Sequence, residues 1–221
     1  VVIPVGSTEQ HGPNGLCGTD FITADGIARA AAEKAGVLVS PPVAYGMATH
    51  HMSFPGTVTL RPSTLIALVH DLVSSLHRHG FRAFYFVNGH GGNVSTLSAA
   101  FSEIHHALQG CRFRLTNWWH LEAVRKLEGE LFGDRNGRHA TPSEISLTMH
   151  LTPGAVKPLA EPPTISRPRH GWPLSAEEFR TTFPDGRMAS DPSLATAEHG
   201  RRLFDLCVAA VAEDLGKFAT G

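Results

Sequence analysis

The chain has 221 residues, 42% of them hydrophobic, and a formal net charge of -1, which suits one large α/β domain, since domains commonly run to about 250 residues. The balanced charge presents no basic face for nucleic acid or an anionic membrane surface, so a small molecule is the expected partner. No run reaches the roughly 18 consecutive apolar residues of a membrane span, and three scattered cysteines, Cys17, Cys111 and Cys207, make no closed disulfide set, pointing to a reducing, cytoplasmic setting.

VVIPV (1–5) is a continuous apolar run that predicts a buried strand. It leads into GSTEQHGPNGLCGTD (6–20), followed by a helix over 22–35 with Gly36 as its C-terminal cap. VLVSPPVAYG (37–46) reads as a second extended segment. RPSTLIALVHDLVSSLHRHG (61–80) carries Leu65, Leu68, Val69, Leu72, Val73 and Leu76 at helical spacing, with Pro62 suited to the first turn and Gly80 to the end. FRAFYFVN (81–88) is a strand that stops at GHGGN, and Asn93 is expected to cap a helix over 94–108. FRLTNWW (113–119) gives another strand and 120–131 another helix. This alternation predicts a parallel sheet covered on both faces.

From Thr152 to Pro192 the chain is proline-rich and aperiodic, which predicts a long excursion that closes over a site or meets another subunit. A long amphipathic helix then follows, with Asp191 as its cap and Pro192 at its first position. With no internal repeat or boundary, residues 1–221 read as one domain.

In an open parallel sheet, ligands bind beyond the carboxyl ends of the strands. Two chemistry-bearing motifs stand at such ends. Glu9 and His11 are two apart, so an extended backbone sends both side chains to one side; Asp20 returns after a Gly/Pro-rich bend, and His90 follows the strand at 81–88. Imidazole nitrogens mixed with carboxylate oxygens suit Zn, Mn or Fe, and the lack of thiolates argues against a closed structural zinc site. Glu144, five residues after His139, has two readings: a metal ligand, or the last residue of the capping box in Thr141-Pro142-Ser143-Glu144. NGHGGN also has a rival reading as a phosphate cradle at a helix N-terminus, although it lacks the dinucleotide fingerprint and the P-loop lysine. Of the 14 histidines, those on helix faces, such as His77, His79, His105 and His106, are expected to meet solvent.

PVGSTEQHGP with GTD, FPGTVTL, NGHGGN, and a histidine five before a glutamate occur in that order over residues 4 to 146. Together they resemble the creatininase (creatinine amidohydrolase) family. The resemblance implies a three-layer α/β/α sandwich around a mainly parallel sheet and a binuclear site whose two divalent ions activate water against a C-N amide bond. Position by position, it implies one metal on Glu9, Asp20 and His90, a second on His11, Asp20 and Glu144, proton transfer by His139, and Trp119 near an aromatic that closes over substrate. A ring-like homo-hexamer is also implied. The chain departs from the pattern at Gly92, where creatinine-hydrolysing members carry a further glutamate ligand, and at Asn14, where a histidine is common. It departs again at Ala48-Thr49-His50-His51, which makes His50 and His51 candidate specificity residues. These departures move the expected substrate from creatinine toward another cyclic amide, a formamide or a peptide cofactor precursor; a non-catalytic metal- or anion-binding protein is the competing class.

Overall fold

The computed structural model describes residues 1–157, 159 and 173–220. Its sheet is parallel, in the order β1 (Val2–Val5), β2 (Ala83–Asn88), β3 (Arg112–Asn117), with Val2 paired to Tyr85 and Ala83 to Arg112. The helices, in chain order, are α1 (Thr19–Ala35), α2 (Pro62–Arg78), α3 (Asn93–Ala107), α4 (Glu122–Phe132), α5 (Pro142–Leu151), α6 (Ala176–Thr182) and α7 (Ala197–Thr220).

Strand alternation sends Val2, Tyr85 and Val87 to one face of the sheet, where α1, α5 and α7 cover them with Ala24, Ile27, Ala28, Leu147, Leu203 and Val211. Ile3, Val5, Phe84 and Phe86 go to the other face, against Leu65, Val69 and Val73 of α2 and Leu97, Phe101 and Ile104 of α3. Apolar residues on both faces of β1 and β2 demand two helical layers. The expected three-layer α/β/α sandwich is what forms. No helix of the described residues is long and apolar enough to cross a membrane.

Several local expectations change. The segment at 37–46 runs alongside β1, with the Val2 N–H donating to the Leu38 carbonyl and the Val43 N–H to that of Pro4. It forms only isolated bridges at Val39 and Val43, because Pro41 and Pro42 bring no N–H to a ladder. α1 starts at Thr19, which places Asp20 in its first turn; it ends as expected at Gly36, whose φ is 66°. Asn93 is the first residue of α3 and makes no capping bond; Gly92 takes the cap position. β3 stops at Asn117, and Trp118–His120 curl into a 3-10 turn ahead of α4.

The proline-rich stretch is more than loop. α6 closes a capping box between Ser175 and Glu178, Phe179 and Phe183 pack with Phe54, and Met188 bridges antiparallel to His139. Residues 158 and 160–172 of that stretch lie outside the described residues. Asp191 caps only a short 3-10 turn over Pro192–Leu194. The extended Ala195 then breaks the path, so α7 begins at Ala197.

Candidate metal centre

Two neighbouring parallel strands, β1 and β2, release their chains at the same edge, and the N-terminus of α1 is laid across both exits. Gly6 and Gly89 make that possible. A Cβ on Gly6 would stand 2.3 Å from the Phe21 nitrogen, and one on Gly89 2.1 Å from the Asp20 carbonyl oxygen, so any larger residue would push Asp20 off the strand ends.

Seated there, Asp20 is the hub of a buried cluster. His11 Nε2 lies 3.0 Å from Asp20 Oδ1, and His90 Nδ1 lies 3.2 Å from Asp20 Oδ2. Glu9 Oε2 lies 3.1 Å from His90 Nε2 and accepts from the Ser7 hydroxyl at 2.9 Å. Glu9, His11, Asp20 and His90 are each no more than 5% exposed. Two groupings bring one ligand atom per residue within 4.8 Å of one another around Asp20: Glu9 with Asp20 and His90, and His11 with Asp20 and Glu144. The five residues singled out as ligands from the sequence therefore meet in one place.

The hydrogen-bond pattern fits a pair of cations. Glu9 Oε1, His11 Nε2 and Asp20 Oδ2 are buried and have no hydrogen-bond partner among the described residues, an arrangement that costs free energy unless something else satisfies them. His11 Nδ1 is 3.2 Å from the Glu9 carbonyl oxygen, and His90 Nε2 is 2.9 Å from that of Met47. A carbonyl only accepts, so those nitrogens carry protons, and it is His11 Nε2 and His90 Nδ1, facing Asp20, that would give up theirs to ligate an ion. Imidazoles that ligate metals are oriented in this way.

Without ions, protons hold the charges in balance. Burial pulls His11 down, yet the adjacent Asp20 carboxylate, helped by Glu144 and Glu9, outweighs it and raises the imidazole to about 10. Burial likewise opposes the charged form of His90, but Glu9 and Asp20 lift it well above its ordinary value. Burial would raise Asp20; His11 and His90 overcome it and hold the carboxylate well below its usual range. Burial pushes Glu9 up, and it takes Glu144 to about 7.

Glu144 answers to both readings of its segment. Its Oε2 accepts from the Thr141 N–H at 2.8 Å, and its own N–H donates to Thr141 Oγ1 at 3.1 Å, closing the capping box of α5, while it also belongs to the grouping with His11 and Asp20. Glutamine serves a capping box as well as glutamate does. Glu144→Gln is therefore expected to preserve stability while weakening metal binding at the grouping with His11 and Asp20, and Glu144→Ala to weaken it along with a loss of about 1 kcal/mol of stability. Metal analysis, paired with denaturant melts of the chelated proteins, checks both.

Gln10, between Glu9 and His11, points the opposite way and was not singled out from the sequence. Its amide donates to Gly186 O at 2.9 Å and to His51 Nδ1 at 2.8 Å. With the two amide hydrogens used there, His139 Nε2 donates to the Gln10 backbone carbonyl at 2.8 Å. Both rings are thereby fixed, and His139 Nδ1 is left as an acceptor 3.7 Å from Glu9 Oε1. Burial and then His11 keep His139 well below its ordinary pKa; burial and then His139 do the same for His51. Glu9, His51 and His139 form a third close grouping that sequence reasoning missed, because only the tertiary fold brings residues 9, 51 and 139 together.

His90 and Glu144 of the cluster, with His139, line a cavity of about 870 Å³, whose walls also include His50, Trp118, Trp119, Arg125, Glu128 and Arg138. His50, His51 and Trp119, singled out from the sequence as substrate-side residues, all line this cavity. Burial takes His50 down to about 4. Phe179 of α6 packs at 4.5 Å from the His51 ring, so the proline-rich stretch supports one wall. At Gly92, where creatinine-hydrolysing members carry a further glutamate ligand, a Cβ would fall 2.4 Å from both His90 Nε2 and the Met47 carbonyl oxygen. The His90–Met47 hydrogen bond fills the space that a side chain would need.

Comparison with known proteins agrees with this architecture. The creatinine amidohydrolase family profile matches residues 1–215. The mycofactocin precursor peptide peptidase of Mycolicibacterium smegmatis is 34% identical over 220 residues, covering 92% of this chain and 79% of the relative. The creatinine amidohydrolase of Pseudomonas putida is 29% identical over 230 residues, covering 96% and 87%. A solved creatininase in its Mn form superposes with a TM-score of 0.79 at 28% identity, covering 98% of this chain and 90% of that one. With a matching profile over nearly its whole length and the same fold, the chain belongs to the creatininase family of hydrolases.

Proposed function

We propose that this protein is a two-metal amidohydrolase that cleaves the C-N bond of a small amide, a cyclic amide or a formamide. The observation that carries the reading is the pair of carboxylate–imidazole groupings sharing Asp20, with buried ligand atoms left unpartnered. Glu9, Asp20 and His90 would hold one divalent ion and His11, Asp20 and Glu144 the other, from Zn, Mn or Fe. Bound there, such ions lower the pKa of water from about 15.7 toward about 7 and polarise a carbonyl oxygen.

The chain's own residues supply the rest. Burial keeps His139 neutral, and its Nε2–H bond to the Gln10 backbone carbonyl leaves Nδ1 as the acceptor, so this nitrogen takes the proton given up by the attacking water and delivers it to the departing nitrogen. His50, His51 and Trp119 orient the amide against the cluster and displace solvent from it. A second reading, hydrolysis of a peptide precursor, is favoured by the cavity of about 870 Å³, far more room than a small cyclic amide fills, and by the likeness to a peptide peptidase.

The test is metal removal and return. The purified protein is expected to bind two divalent ions per chain, to lose hydrolysis when chelated and to regain it with Zn, Mn or Fe, assayed on cyclic amides, formamides and short peptides. Full turnover by the chelated protein, or a stoichiometry below two, would overturn the proposal; which substrate panel responds decides between the two readings.

A further inference from the structure

The metal cluster leaves one buried carboxylate of the same cavity unexplained. Glu128, on α4, is only 8% exposed and lines the cavity, yet its Oε1 has no hydrogen-bond partner among the described residues. No cationic side chain among those residues comes within ion-pair distance of it, although Arg125 lies one turn earlier on the same helix. Asn136 Oδ1, in the same wall, is a second buried acceptor without a partner. Two unpartnered acceptors beside one cavity cost stability, and a helix with solvent so close could have turned a glutamate outward.

Burial pushes the Glu128 carboxyl up, while hydrogen bonding from Ser143 and Asn136, and then the charge of Arg125, pulls it back. Ser143 and Glu144, in the first turn of α5, line the same cavity as Glu128.

We propose that Glu128 is a substrate-recognition residue that accepts a hydrogen bond from a protonated amine on the substrate, with Asn136 Oδ1 as the second acceptor. This inference rests on the two-metal reading. It adds that the preferred amide carries a cationic nitrogen on the side facing α4. A carboxylate–ammonium pair in a desolvated wall contributes more than a neutral hydrogen bond, which makes the group a means of rejecting uncharged amides.

The test uses the metal-loaded protein and straight-chain alkyl hydroxamates, whose hydroxamate end chelates divalent metals, in a series of lengths ending in either an amine or a methyl group. At one chain length the amine compound is expected to bind about tenfold or more tightly than its methyl counterpart by calorimetry. Glu128→Gln, which keeps the side chain's size, is expected to abolish that advantage while changing the methyl compound's affinity less than twofold. If no length shows an amine advantage, or if the glutamine variant keeps it, the recognition role is wrong while the metal reading stands. If neither compound binds the wild-type protein, the two-metal reading fails and this inference fails with it.

Discussion

Asp20→Asn is expected to abolish hydrolysis, lowering turnover by at least about a thousandfold, because a water no longer shifted from a pKa of about 15.7 toward about 7 supplies almost no nucleophile at neutral pH. The substitution is nearly isosteric, so the backbone contacts that seat α1 on Gly6 and Gly89 survive. What changes is the charge at the hub. Asp20 faces His11 through Oδ1 and His90 through Oδ2, and an amide cannot present two anionic oxygens. Both ions should therefore be lost together, in contrast to the weakening at a single grouping in the glutamine variant at position 144. Metal analysis beside a rate assay checks this; an Asp20→Asn protein that keeps two ions and more than a tenth of its activity would remove Asp20 from the centre of the site.

His139→Ala should behave differently. Loss of a positioned proton carrier typically costs about a hundredfold to ten-thousandfold in rate, and the two groupings around Asp20 do not include His139. Turnover is expected to fall within that range, with two ions still bound. The measurement also addresses the third grouping, since His139 lies near Glu9 and His51: an alanine variant that sheds an ion would make His139 a ligand and leave proton transfer without an assigned residue.

The parts of this molecule that were legible in the sequence share a physical origin. VVIPV and FYFVN are apolar on both faces, which fixes them as buried parallel strands, and a βα alternation then determines where their carboxyl ends lead. Glu9, His11 and His90 follow those ends directly, so their convergence is a consequence of topology. Helix α2 announces itself through Pro62 and its apolar spacing.

What was not legible depends on contacts between segments distant in the chain. Asn93 looks like a cap by identity, but its side chain has partners elsewhere in the fold. The extended segment at 37–46 has strand composition, yet its two prolines cannot complete a ladder. Helix α6 carries a visible capping box, Ser175 to Glu178, but seven residues among prolines give too short a period to register. Gln10 and Glu128 are ordinary polar residues in the sequence, and only the folded chain brings one to two imidazoles and buries the other beside a cavity.

The side chain of Asn93 reaches three places at once: its Oδ1 accepts from the Met47 N–H at 3.0 Å, and its Nδ2 donates to Gly6 O at 2.9 Å and Asn88 Oδ1 at 3.3 Å. Those partners lie on the three segments that carry Glu9, the His50–His51 pair and His90. One amide thus rivets the frame from beneath, and the cavity is lined by a separate set of residues, including His50, Trp119 and Arg138. An engineer seeking new substrates has a natural division of labour to exploit, with the lining free to be randomised and the rivet left untouched.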